Sequence, residues 1–418
     1  MKGSDNSYEA RSLGMVLSGT LSEGVQVKLD PSISVEEIKV GTLVSIEGER
    51  NRFFGQISGV SLGTTDQTLT VNPPDVSDPF VAQVISGTAA FGATEVQPTL
   101  VLAGRDNPSE AIEGPQPAKT VPAHFSKVFL ASEKDIQMVF GREDEDHFWI
   151  GNPLDMETKL CLDMGELVKR NNGVFGKTGT GKTFLTRLLL MGILQKGKAT
   201  NLVFDMHSEY GWKGYGEGSS EVKGLKQIFS SKVAVFSLDE SSSKRRGLTP
   251  DFVVRIGYDQ IDPEDVQILR ETLGLSEVAA DAAYSLQRHL GSKRWLKEFL
   301  SLNGREAVQN LAEEIKVNQS ALITLQNRLL RLERFGFMDE SATHDSVSEL
   351  LSYLDRGIHV ILEFGRYGSD LAAYILVANL LTRRIHRRYV DRSERAMENT
   401  SNQPRPLVIS IEEAHKFL

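Results

Sequence analysis

The eight residues GKTGTGKT, Gly176 to Thr183, constrain this chain more than any other stretch. They fit the pattern G-x-x-x-x-G-K-[ST] and lie between "NNGVFG", which reads as a strand, and "TFLTRLLLMGILQKG", which reads as a helix. Glycines at 176, 179 and 181 let the backbone take left-handed and close-approach conformations that turn several N–H groups toward one anion. A helix opening near Lys182 adds the positive end of its dipole. The cradle so formed comprises Gly176, Lys177, Thr178, Gly179, Thr180, Gly181, Lys182 and Thr183, with Phe184 directly behind it, and it suits a triphosphate. Lys182 is expected to reach the β- and γ-phosphates, and the Thr183 hydroxyl to ligate Mg2+, whose other ligands are mostly water and phosphate oxygen. ATP and Mg2+ are the expected cofactors. The bland alternative, a chance Gly-rich turn, is opposed by the strand and helix read on either side.

Hydrolysis of a bound nucleotide needs acids, and the sequence offers two groups. In "PLVISIEEAHKFL" an apolar, β-branched run delivers Glu412 and Glu413 to the end of a strand. Glu412 is expected to support the magnesium, more easily through water than directly, and Glu413 to polarise the attacking water. Alternatively both acids simply cap the strand in solvent. In "VFDMHSEYG", Asp205 and Glu209 fall where a parallel sheet presents its carboxyl edge to ligands, so they could position water or sense the γ-phosphate. Asp205 could equally cap a turn, and His207 be an ordinary surface histidine.

A chain of 418 residues exceeds one ordinary core. From Met15 to Leu102 short β-like runs, "TLTV" among them, are separated by Gly, Asp, Ser and Pro, as in a small barrel or sandwich. The polar, Pro-rich "GRDNPSEAIEGPQPAKTVPAH" reads as a connection. Strands then alternate with helices, as in a parallel sheet covered by helices. Between Asp262 and Leu351 apolar residues recur three and four apart, which marks a helical insertion. The expected division is 1–118, a β-rich domain; 119–261, the first part of an α/β core; 262–351, the insertion; and 352–418, the rest of the core. One cysteine, Cys161, permits no internal disulfide, and no signal peptide or membrane-spanning run is seen, so a cytoplasmic, membrane-free protein is the plain reading. The net charge of −9 argues against a uniformly basic coat but leaves room for a local basic channel.

"GKTGTGKT", "NLVFDMHSEYG" and "LVISIEEAHKF", preceded by a small β-rich domain, together resemble the HerA-type ATPases of the HerA/FtsK superfamily. The resemblance implies an α/β fold: an N-terminal β-barrel, then a RecA-like P-loop NTPase domain with a helical insertion. It implies an ATP-hydrolysing homohexamer that draws double-stranded DNA through a central pore, with a nuclease of NurA type or another defence effector as partner. By position, Lys182 and Thr183 would bind nucleotide and magnesium, Glu412 support the ion and Glu413 polarise water. A cation lent to the neighbour's nucleotide would come from Arg170 or Arg366, although arginine is mostly a solvated surface residue. A RecA-type sheet continues past its acid strand through a sensor strand and a further strand, so the chain as it stands is expected to be an incomplete motor.

Two basic stretches could meet DNA. "SSSKRRGL", with Lys244, Arg245 and Arg246, reads as an exposed loop; "RRIHRRYVDR", with Arg383, Arg384, Arg387 and Arg388, reads as the polar face of a long helix. No zinc spacing or base-reading motif is present. The competing functions are a secretion or conjugation ATPase of the same superfamily, and a nucleotide-binding ring scaffold that organises an effector.

Overall fold

The computed structural model describes residues 11–417 apart from 66–67, 73, 76, 104–113, 155, 178, 216–220, 342–343 and 398–402. Thr178 of the phosphate cradle and the first half of the Pro-rich connection lie outside the described residues. Contacts divide the chain into two compact units, Met1–Met164 and Gly165–Leu418.

The first unit is a closed β-barrel. Strands Gly24–Leu29, Ser12–Thr20, Lys127–Leu130, Leu43–Glu47, Asn51–Thr64 and Ala90–Ala103 follow one another around it, and Ala90–Ala103 returns to pair with Gly24–Leu29. Closure removes the open edges through which sheets aggregate. Alternate residues point inward, among them Val25, Val27 and Leu29, and they meet Leu13, Val44, Ile46, Phe53, Ile57, Val96 and Val128 in one apolar core. The strand Lys127–Leu130 comes from beyond the Pro-rich connection, yet it sits between Ser12–Thr20 and Leu43–Glu47. Gly14 makes a close crossing possible: a Cβ there would fall 1.9 Å from the Lys28 carbonyl oxygen. Outside the barrel, Ser132 and Asp135 form a reciprocal capping box on the helix Glu133–Phe140. The buried Asp135 also pairs with Arg52 at 2.8 Å.

The segment "TLTV" corrects the sequence reading. Thr68–Val71 is a single helical turn, and the helix Pro79–Thr88 follows, with Asp78 accepting from the Phe80 N–H and Pro79 opening the first turn. Four alternating residues are too few to separate a strand from one turn of helix.

The second unit is a five-stranded parallel sheet in the order Phe252–Val253, Val233–Ser237, His359–Glu363, Thr200–Asp205, Leu407–Ile411. Its central strands are buried throughout, as sheets covered on both faces must be. Val203, Val233 and Ile361 face the helix Lys182–Lys196 through Leu190 and Leu194. Leu202, Phe204, Phe236, Val360 and Leu362 face the other way, into one core that includes the long helix Leu371–Ala396 and the helices between Pro263 and Asp355. Together these features make the second unit a RecA-like α/β domain with helical insertions.

A second correction concerns "NNGVFG". Residues 171–177 form no strand and are largely exposed, with Phe175 at 93%. The Asn172 amide instead donates to the carbonyls of Leu167 and Arg170, satisfying the end of the helix Met164–Val168. Two Asn, two Gly and only two apolar side chains do not make a strand without a ladder partner.

Trp295 ties the insertion to the segment that leads into it: it is fully buried, and its indole N–H donates to the Ile261 carbonyl at 2.9 Å. Trp295→Ala is expected to destabilise the second unit by about 3–5 kcal/mol, read as a lower unfolding midpoint, while Trp295→Phe costs less because most of the volume remains.

Candidate nucleotide site

The helix Lys182–Lys196 begins on Gly181, which has φ +86° and supplies no side-chain cap, so the first N–H groups stay available to an anion. Gly179, at φ +81°, turns the loop before it. Gly176 has no room for a side chain, since a Cβ would lie 2.5 Å from the Thr180 hydroxyl oxygen, itself a donor to the Lys177 carbonyl at 2.7 Å. Lys182 Nζ donates to the Gly176 carbonyl at 2.8 Å, folding its ammonium back over the loop. A phosphate oxygen would offer that ammonium a charged acceptor in place of a neutral one. Thr183 is half-buried and Phe184 is exposed.

Three acids end adjacent strands at the carboxyl edge: Asp205, Glu363 and Glu412. Asp205 is fully buried; it accepts from the N–H groups of Glu209, Tyr210 and Gly211 at 2.9, 2.8 and 3.3 Å. Its oxygens organise the loop after the strand, an arrangement the turn-capping reading describes. Burial, and then the nearby Glu363 charge, push its carboxyl up to about 7. Glu363, in register with Asp205, is raised by burial but held by Arg246 and by the Ser243 hydroxyl. Glu412 accepts from the His207 N–H at 3.2 Å, and burial followed by the Asp205 charge pushes it up to about 8. A divalent cation would relieve that concentration of negative charge.

Glu413 follows with φ +49°, a conformation that costs energy for a residue with a Cβ and that marks functional turns more often than others. Its carboxylate lies 3.2 Å from His415 Nδ1. The buried Tyr374 fixes this turn by donating its hydroxyl to the Glu412 carbonyl at 2.7 Å. The loop after Asp205 reaches back to the phosphate-loop helix, because Arg187 donates to the Glu209 carbonyl and stacks over Tyr210. Glu209 itself is half-buried. Among the described residues no three His, Cys, Asp or Glu side chains converge to hold a metal alone.

The remaining candidates part company. Arg170 is exposed beyond the helix Met164–Val168. Arg366 keeps 63% exposure while pairing with Asp239 at 3.4 Å and donating to the Tyr367 hydroxyl at 2.9 Å. "SSSKRRGL" is no loop: Glu240–Arg245 is a short helix capped by Asp239, and Arg246 turns inward to Glu363. Lys244 pairs with Glu240 on its surface. The long helix does present a polar face, but one committed to the insertion and the segment before it: Arg383 meets Asp265 at 2.8 Å, Arg384 donates to the Gln260 carbonyl, and Arg388 meets Asp345 at 2.6 Å. Arg387 is exposed. Glu363, Arg246, Arg187 and Tyr374 were not singled out for the site from sequence. Glu363 had a readable signal, since "HVILE" ends an apolar strand with an acid as "NLVFD" and "LVISIE" do.

Comparison with known proteins identifies a P-loop ATPase domain of the HerA/FtsK superfamily. The family described as "Helicase HerA, central domain" matches residues 148–385, more than half of the chain, and the chain belongs to it. The match ends before Glu412 and Glu413. The DNA double-strand break repair helicase HerA of Pyrococcus furiosus is 24% identical over 243 residues, covering 58% of this chain and 41% of that protein. A probable helicase of Methanocaldococcus jannaschii is 37% identical over 84 residues, 20% of this chain and 16% of its own length. The chain thus spans less than half the length of either relative. Among solved structures, VirB4 of Thermoanaerobacter pseudethanolicus aligns over 66% of this chain and 79% of its own at 14% identity with a TM-score of 0.33. No helix among the described residues is long and apolar enough to cross a membrane.

The raised acids carry a pH signature. With folded values of about 7 and about 8, Asp205 and Glu412 bind more protons folded than unfolded, so their contribution to stability is complete below about pH 4 and is lost as pH rises through about 7 to 8. Glu412→Gln keeps an oxygen for the His207 N–H and removes the charge. In nucleotide-free protein it is expected to melt roughly 5 °C above the parent at about pH 8.5 and close to it at about pH 5. Equal differences at both pH values would refute the assignment.

Proposed function

We propose that this protein is an ATP-hydrolysing DNA translocase or helicase of HerA type, assembling as a homohexamer, drawing double-stranded DNA through a central pore and working in the cytoplasm with a nuclease or another defence effector. The observation that carries the reading is a continuous physical link from phosphate grip to acid. Lys182 opens a helix whose Arg187 holds the loop that Asp205 organises, and His207 of that loop holds Glu412. A change at the phosphates therefore has a route to the carboxyl edge of the sheet.

In this reading the loop amides and Lys182 bind the phosphates, and Thr183 and Glu412 hold magnesium, Glu412 through water. Bound magnesium supplies charge neutralisation at the phosphates. Glu413, on its strained turn, orients the attacking water and accepts its proton. Arg366 is the stronger candidate to reach a neighbour's nucleotide, because its guanidinium is oriented by Asp239 and Tyr367 while remaining accessible, whereas Arg170 has no side-chain partner to orient it among the described residues.

ATP turnover with and without linear duplex DNA, alongside mass in solution, tests this. Glu413→Gln is expected to retain nucleotide and to turn over about 10²–10⁴-fold more slowly. Lys182→Ala should lose nucleotide binding, and with it any ATP-dependent ring assembly that Glu413→Gln preserves. Turnover indifferent to duplex DNA, or unchanged in Glu413→Gln, would sink the proposal.

A further inference from the structure

The opposite edge of the same sheet carries a second, basic cavity. The segments that lead into four adjacent strands close around a volume of about 240 Å3: Gly197 to Thr200, Ser231–Lys232, Arg356 to His359, and Arg405. Among the described residues no acid lines it. Lys232 and Arg405 have no carboxylate within ion-pair distance among the described residues. Arg356 lies over the Tyr353 ring and spends only its Nε–H, on the Ser352 carbonyl at 3.1 Å, leaving the rest of its guanidinium fork. In a chain with net charge −9, three such cations around one concavity are not explained by surface solvation alone.

His359 points to a ligand independently. It is 5% exposed, lines the cavity, and its Nδ1 accepts the Asn201 N–H at 3.0 Å. An imidazole that accepts at Nδ1 while neutral carries its proton on Nε2, a donor with no protein partner among the described residues, on a side chain that lines the cavity. Burial first, then the charges of Lys232 and Arg405, hold His359 down at about 4, so this tautomer persists at neutral pH. Gly357, at φ +78°, lets the Arg405 guanidinium approach: a Cβ there would lie 3.0 Å from it.

We propose that this cavity is an anion site that takes a phosphate group, with Lys232, Arg356 and Arg405 supplying charge and His359 a directed N–H. It is built by the amino ends of the strands, whereas the nucleotide site lies at their carboxyl ends, and it does not depend on the hydrolytic reading. The phosphate comes either from the backbone of duplex DNA or from a free phosphate compound.

The test uses Lys182→Ala protein, so that the phosphate loop does not compete, and inorganic phosphate as the calorimetric probe. Binding is expected, and Lys232→Gln and Arg405→Gln, both at exposed side chains, should each weaken it about tenfold or more, with circular dichroism unchanged. The same variants are then titrated with short linear duplex DNA over a range of salt. If duplex affinity falls too, and the log–log salt slope drops by about 1 per contact removed, the source is the DNA backbone; if only phosphate binding falls, it is a free anion. Either result supports the site. No phosphate binding, or binding indifferent to both substitutions, overturns it.

Discussion

A carboxylate sealed inside a protein has to be surrounded by hydrogen-bond donors, and Asp205 meets that demand by curling the chain after it so that three backbone N–H groups point at it. Much else at the carboxyl edge depends on that curl. It places the Glu209 carbonyl where Arg187 can bind it, the Tyr210 ring beneath the same guanidinium, the His207 N–H against Glu412, and Gly211 so close to Glu363 that a Cβ would lie 2.7 Å from its Oε1. Remove the buried acid and these contacts lose their common origin.

The sheet is electrically polarised along its strands. Acids close its carboxyl end, where among the described residues Asp205 and Glu412 have no side-chain cation in ion-pair range, while the cavity at its amino end is lined by Lys232, Arg356 and Arg405. Arg246 interrupts the pattern only partly: it compensates Glu363 and leaves Asp205 and Glu412 to repel each other. Such an arrangement stores electrostatic work that bound ligands of the opposite sign would release, a cation at one end and an anion at the other.

What could be read from the sequence was what residue identity encodes locally. The glycines of GKTGTGKT specify a backbone shape whatever surrounds them, and the alternation of short β runs specified a barrel-like first unit. What escaped was set by distant partners. Arg246 looked like one of three solvent-facing bases, but its partner Glu363 lies 117 residues further on. "NNGVFG" was read as a strand from its neighbours' grammar, whereas strand formation needs a ladder, and Asn172 found a helix end instead. Asp205 could be recognised as important without its role being decidable, because a turn-capping acid and a ligand-facing acid are spelled identically. The domain limits and the roles of individual site residues rest on more than pattern alone can carry.

The helices between Pro263 and Asp355 do not merely decorate the sheet; their apolar side chains and those of Leu202, Phe204, Phe236 and Leu362 fill one undivided interior. A densely filled interior of this kind resists shear between its parts. Whatever displaces the sheet must therefore displace the insertion with it, as one body.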